Sequence, residues 1–568
     1  MRSSNTHLKK EEIGIAKGLI SQIGMSSWFN IKKKIDQDIK NLETAREREI
    51  ALEILNELKT NKTVEEILNL DDLVNITDPK EKNLSVIETH PIHKPYAFIR
   101  ILFDNKRHEY VYEVLEPIVE NKEILHFLED TLIKTLDIEL EELTSGGATD
   151  YLERKVNNVI QDYSIHLNNE SKTKILYYLN RDFLSYGKID VLMRDSMIED
   201  ISCDGAGIPL YLYHRNYESI KTNIVFETEG ELDSFVIKLA QKCGRHISIA
   251  KPLMDATMPD GSRIQASLSK EITTMGSTFT IRRFREEPFT PPDLLEYNTL
   301  SADMAAYFWL AIENGASAII SGGTASGKTT TLNALSLFIP TQSKIVSIED
   351  TREINLPHPN WIAAVTREGT IESQQDTDID MFDLLKSALR QRPEYILLGE
   401  IRGKEATVLF QAMATGHTTY STMHADSIYS IVHRLEGEPI SIPRLQLKSL
   451  DIVAIQALMK INQKRVRKIK TVAEVIGMDP KTKELLTNEV FSFNPRKDDF
   501  EYYGRGYLFD RIAEQQNISD KELLEEFERR KKVITWMKEK GIRHYLQVGE
   551  IISAYYKYPD EVIKRMEV

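Results

Sequence analysis

The chain has 568 residues, enough for about three or four domains that each bury a core. Acidic residues outnumber basic ones by 87 to 73, a formal charge of −14, so no global positive field draws the molecule to nucleic acid. Two cysteines, Cys203 and Cys243, are too few for a disulfide scaffold or a cysteine-based zinc site and fit a reducing compartment.

Met1–Lys10 lacks the apolar centre of a signal peptide. Residues 1–90 form a highly charged N-terminal extension with helical patches such as Ile50–Leu58, and Asp78–Asn83 reads as a linker. That extension is a docking segment or a passive charged arm, and no motif decides between them. Residues 91–165 read as a mixed α/β subdomain, with a strand at Tyr110–Val114 and a helix at Lys122–Leu136. Residues 166–290 read as an α+β domain with strands at Glu199–Cys203 and Leu210–Tyr213, and a turn Pro259–Ser262 opening a strand Arg263–Ala266. Pro288–Pro292 makes a stiff connection into an α/β domain at 291–480, and 481–568 reads as mainly helical. The apolar stretch Ala305–Ile320 is broken by Glu313-Asn314-Gly315 and is too short to span a bilayer, so a cytoplasmic protein is expected.

Within 291–480 the decisive segment is Gly322-Gly323-Thr324-Ala325-Ser326-Gly327-Lys328-Thr329, which fits the phosphate-loop pattern G-x-x-x-x-G-K-[ST]. The apolar run Ala316–Ile320 before it predicts a buried strand, and Thr330–Phe338 after it predicts a helix stopped by Pro340. That order suits a bound polyphosphate. Glycines let the backbone wrap the anion, the helix N-terminus adds a favourable dipole, Lys328 reaches the β- and γ-phosphates, and the Thr329 hydroxyl completes a Mg²⁺ shell. ATP and Mg²⁺ are therefore the expected ligands, with Thr330 at the end of the cradle.

Three further segments agree with a nucleotide motor. Lys344–Ile348 reads as a parallel strand delivering Glu349 and Asp350 to the sheet edge where ligands bind. Tyr395–Leu398 is a second buried strand ending at Gly399-Glu400, where a carboxylate orders Mg²⁺ through water, and helix Met381–Arg390 lies between the two. Helix Ala406–Ala414, stopped by Gly416, leads into a β-branched strand over His417–Thr422, with His424 beyond its end. A hydrolytic carboxylate must orient the attacking water: Glu349 is the first choice and Glu353 the second, with a solvated pair as the plainer alternative. His417 and His424 are read as γ-phosphate sensors, or else as structural histidines.

Ser321–Thr331, Ile348–Ile354, Leu389–Tyr395, Leu398–Gly403 and Thr415–Ala425 occur in an order that resembles the Walker A, Asp box, Walker B and His box of the type II/type IV secretion ATPases. The nearest likeness is to the archaeal branch that drives archaellum and type IV pilus assembly. The likeness is dense over about 185–475, diffuse over about 90–185 and in the tail, and absent from the first 80 or so residues. It implies a RecA-like motor domain with a parallel sheet behind mixed α+β N-terminal domains, assembled as a homo-hexameric ring on the cytoplasmic face of the membrane. It also implies a polytopic membrane platform protein, filament accessory proteins and an anionic membrane surface as partners, and no nucleic acid. Arginines from a neighbouring domain then reach the phosphates: Arg263 and Arg245 are the best matches, with Arg282, Arg283 and Arg285 further candidates, and each has an ordinary reading as a surface ion pair. The alternative is a nucleic-acid or conjugation-type motor of the same ring family. A non-hydrolysing scaffold is the third reading.

Overall fold

The computed structural model describes residues 73–74, 79, 83–135, 147–285, 287–367, 378–461, 464–482, 484–504 and 506–566. The helical patch at Ile50–Leu58, most of the 1–90 extension and most of the linker Asp78–Asn83 lie outside them. The chain divides into two compact units: Met1–Met254 with Gln265–Ile281, and Asp255–Ile264 with Arg282–Val568.

The first unit holds most of a nine-stranded sheet. Its strands are β1 (Leu84–His93), β2 (Ala97–Asp104), β3 (Glu109–Leu115), β4 (Ile198–Cys203), β5 (Pro209–His214), β6 (Glu218–Val225), β7 (Leu253–Thr257), β8 (Arg263–Ser267) and β9 (Thr278–Arg282), in the order β1-β2-β3-β6-β5-β4-β9-β8-β7. Strands from 91–165 and from 166–290 therefore share one sheet, joined where β3 runs parallel to β6. Three helices, Lys122–Thr135, Gly147–Asp162 and Asn169–Phe183, pack on a core of their own around Leu128, Leu132, Val156 and Ile175.

The second unit is built on β10 (Ala318–Gly322), β11 (Ile345–Glu349), β12 (Trp361–Val365), β13 (Tyr395–Leu398), β14 (Thr418–Met423), β15 (Ile452–Ile461), β16 (Lys464–Met478), β17 (Leu485–Asn494) and β18 (Asp499–Tyr502). Their order is β12-β11-β13-β14-β10-β15-β16-β17-β18. The strands from β12 to β15 are parallel, and β15 to β18 continue as an antiparallel meander. β10, β11, β13 and β14 are buried at every position, which is why they read as unbroken apolar or β-branched runs. The chain thus has the expected α/β class: a parallel phosphate-loop sheet preceded by a mixed α+β unit.

Helix Ala302–Glu313, the first half of the longest apolar stretch, is buried along most of its length. Trp309 stacks on Phe338 with centroids 5.0 Å apart, and each such buried side chain contributes roughly 1.5–3 kcal/mol. The sheet runs on through Tyr502, and the helices beyond it, Tyr507–Gln516, Asp520–Glu539, Tyr545–Lys557 and Pro559–Met566, join the same core through Phe509, Phe527, Ile534 and Tyr555. Arg530 is buried against Glu313 and Glu526 and lies over Trp309. Among the described residues, no helix is long and apolar enough to cross a membrane.

Candidate nucleotide-binding site

β10 lies between β14 and β15 and delivers Gly322 at its C-terminal end. Only glycine fits there, because a Cβ would sit 2.0 Å from the Gln456 carbonyl oxygen on β15 and 2.8 Å from Ser326 Oγ. The loop then turns through Ala325 at φ +58 and Gly327 at φ +89, the second of which opens helix Lys328–Ser336. Gly323, Thr324 and Ala325 face solvent, while Thr329 and Thr330 are half-buried on the first turn. Inside the loop, the Ser326 hydroxyl donates to the Gly323 carbonyl (2.9 Å). Lys328 is buried, and its ammonium donates to the same carbonyl (2.9 Å) and to His424 Nδ1 (3.3 Å). Burial lowers the Lys328 pKa, and the carboxylates of Glu400 and Glu353 act in the opposite direction.

From Lys328 a continuous polar chain crosses the ends of four strands. His424 follows β14, and burial, reinforced by the Lys328 charge, holds its pKa below the ordinary value. A neutral ring that accepts at Nδ1 carries its proton on Nε2, which faces Glu400 Oε1 at 3.2 Å. Glu400 follows β13, and its other oxygen accepts from Arg402 at 2.6 Å. The same guanidinium reaches Asp350, just after β11, at 2.9 Å. The Arg402 pKa is raised, first by the Glu400 hydrogen bond. Glu405, at the start of helix Glu405–Ala414, holds this turn by accepting from the backbone N–H groups of Arg402 and Gly403, each at 2.6 Å.

The two acidic candidates on the β11 loop differ sharply in environment. Glu349 is 2% exposed, and its carboxyl is turned back onto its own loop, accepting from the N–H groups of Glu353 (3.0 Å) and Ile354 (3.1 Å). Burial pushes its pKa up to about 8 against those amide bonds, so near neutral pH it is chiefly the protonated acid. Glu353 is exposed, and its charge is felt at Lys328.

Not every candidate converges here. His417 precedes β14 and His424 follows it, so the six-residue strand puts them about 20 Å apart. His417 makes local contacts at 3.2 Å with Thr415 Oγ1 and 3.3 Å with the Ala412 carbonyl, and within the chain it is not brought to the phosphate loop. The two histidines thus stand at opposite ends of β14, which runs parallel to β10 toward the loop, and within the chain it is His424 that meets Lys328. Arg263 makes a two-pronged contact with Asp255 at 2.6 and 3.0 Å; that hydrogen bond raises its pKa, and Asp350 and Glu353 add to the effect. Arg245 belongs to the first unit, in the turn after helix Glu229–Lys242. Arg285 lies 3.5 Å over the Phe289 ring, and Arg282 and Arg283 adjoin the end of β9.

The structure also adds residues that no motif marks. Arg467, on β16, donates to the Ala325 carbonyl at 3.0 Å, and Gln456, on β15, lies against Gly327. A cleft of about 390 Å³ opens beside Gly322–Thr324, walled by His424, Asp426, Ser430 and Arg434.

The residues from 186 to 541 match the family model described as type II/IV secretion system protein. The chain belongs to that family. Uncharacterized protein MJ0900 of Methanocaldococcus jannaschii is 38% identical over 400 residues, 70% of this chain and 72% of the relative. Type IV secretion system protein PtlH of Bordetella pertussis is 32% identical over 243 residues, 39% of this chain and 71% of the relative. The solved structure of the Legionella pneumophila ATPase DotB aligns at TM-score 0.37 and 16% identity, covering 65% of this chain and 94% of that one. The matched span of this secretion-system family member takes in the phosphate loop, Glu349, Glu400 and His424 together.

Proposed function

We propose that this type II/IV secretion family member hydrolyses ATP and couples turnover to the extrusion or rotation of a type IV-like filament. The observation that carries the reading is the unbroken polar chain from the Gly323 carbonyl through Lys328, His424, Glu400 and Arg402 to Asp350. It ties all four strand ends to the place where a terminal phosphate would lie.

The phosphate loop and Lys328 fit a polyphosphate, because the loop turns through left-handed backbone around the ammonium, whose acceptors among the described residues are the Gly323 carbonyl and the neutral His424 ring. Mg²⁺ would be held by the Thr329 hydroxyl and, through water, by Glu400, whose two oxygens are already engaged by His424 and Arg402. When bound, that ion shares the charge developing on the transferred phosphoryl group. Glu353 is the carboxylate that orients the water: it is exposed on the loop after β11 and its charge acts on Lys328, whereas Glu349, protonated near neutral pH, shapes the loop that presents it. Arg263 is the better-supported finger, since it shares the field of Asp350 and Glu353. The working form is a homo-hexamer that closes on ATP and opens after hydrolysis, pushing on a polytopic membrane platform protein at the cytoplasmic face.

A type IV secretion motor is the second reading, favoured by the Bordetella relative's name. Phosphate release from the full chain, compared with Glu353→Gln and Glu349→Gln, tests the assignment. Glu353→Gln is expected to lose hydrolysis by a hundredfold or more while still binding ATP, and Glu349→Gln to keep most of it. The reverse ranking would restore Glu349 as the hydrolytic group.

A further inference from the structure

Helix Tyr545–Lys557 lies beyond the family match at 186–541, yet it touches the loop that carries Asp350 and Glu353. The contact is made by a glycine in the helix interior, where glycine is otherwise a poor choice. A Cβ on Gly549 would lie 2.8 Å from Pro357 Cγ and 3.6 Å from Pro357 Cβ, so the helix backbone itself rests on the loop. Either side of that contact, the loop's Ile354 and Leu356 share one apolar core with the helix's Val548, Ile552 and Tyr555.

The same loop is tied to the helix that follows the phosphate loop. Asn333 Oδ1 accepts from the Asn355 N–H at 3.3 Å, and the His358 ring, kept neutral by burial, donates from Nε2 to the Ile339 carbonyl at 2.8 Å. The tail helix closes the triangle. Its Tyr556 hydroxyl donates to the Phe338 carbonyl at 2.5 Å and accepts from Trp309 Nε1 at 2.9 Å. Three elements therefore fix one another: phosphate-loop helix, loop 350–360 and tail helix.

We propose that Gly549 is a positioning residue for hydrolysis: by letting the tail helix seat against Pro357, it sets the loop that holds Glu353 toward Lys328. This rests on the reading of that loop as the carrier of the hydrolytic carboxylate. Force or a partner acting on the tail would reach the site through this contact, with no change in the phosphate loop itself.

The test is Gly549→Ala in the full chain, alone and with Pro357→Ala, read by steady-state ATP turnover, thermal unfolding and hydrogen exchange of the peptide spanning 350–360. The added methyl collides with Pro357 Cγ, so kcat should fall about tenfold with KM for ATP within twofold and exchange in the loop accelerated. The melting temperature should fall, because the clash with the Pro357 ring is only partly offset by alanine's preference for the helix. Removing Pro357 Cγ leaves an ordinary 3.6 Å contact, so the double variant should recover both kcat and protection. Wild-type kcat and wild-type exchange in Gly549→Ala would overturn the proposal, and so would a loss that Pro357→Ala does not repair. If the parent chain turned over no ATP, the ATPase reading would fall, while exchange in the loop would still decide whether Gly549 positions it.

Discussion

Glu349→Gln tests the burial of the loop carboxyl through the pH dependence of stability. In the folded chain the group keeps its proton up to about pH 8, whereas an unfolded glutamate releases it near 4.5. Through that window the folded state binds more protons than the unfolded one, so stability falls as pH rises from 4.5 to 8 and is flat outside it. The displacement amounts to at most about 5 kcal/mol at alkaline pH. Glutamine removes the titration with little loss of bonding. One oxygen, Oε1, accepts from both Glu353 (3.0 Å) and Ile354 (3.1 Å), so the amide oxygen can take its place, and only the 3.3 Å contact of Oε2 is forfeited. Urea unfolding followed by tryptophan fluorescence is the assay, since Trp309, Trp361 and Trp536 all report on the second unit. The variant's advantage over the parent should widen by about 3–4 kcal/mol between pH 5 and pH 9. A gap that does not change with pH would refute the buried, protonated Glu349.

Gly322→Ala forces a Cβ onto the Gln456 carbonyl and should cost about 1–3 kcal/mol or more together with ATP binding; unchanged melting and unchanged nucleotide affinity would contradict the close approach of β10 and β15. Arg467→Ala releases the Ala325 carbonyl and should raise KM for ATP up to about tenfold with kcat within twofold, one hydrogen bond's worth. A fall in kcat at constant KM would show that Arg467 acts on the chemical step instead.

The elements that surround the site were legible because their burial leaves unambiguous patterns. Tyr395–Leu398 and helix Met381–Arg390 are found where the apolar run and its 3.6-residue period predict them. β10 is displaced two residues toward the loop from the predicted Ala316–Ile320, since Ser321 and Gly322 still pair with β15. The meander was not legible. In Lys464–Met478, Arg465, Arg467, Lys468 and Lys470 interrupt Val466, Ile469 and Val472, so the run shows no clean alternation although Lys468, Ile469 and residues 472–475 are buried; β17 and β18 likewise fall in a segment read as mainly helical. Within the site the motifs named Lys328, Glu400 and His424, because spacing along a strand–loop–helix unit fixes which end of the sheet they occupy. What spacing cannot carry is orientation. Glu349 and Glu353 are four residues apart on one loop, and only the amides under Glu349 separate the buried acid from the exposed one. Arg467 and Gln456 come from strands more than a hundred residues beyond the loop they support, and no local pattern announces them.

The most direct measurement is steady-state phosphate release from ATP by the full-length chain and by Lys328→Ala, with oligomeric state followed by light scattering in the same samples. ATP turnover by the parent, lost by a hundredfold or more in Lys328→Ala, together with hexamers that form on adding ATP, is the predicted result. Equal turnover in both proteins, or none in the parent at any nucleotide concentration, would contradict the assignment of this site as an ATP-hydrolysing motor.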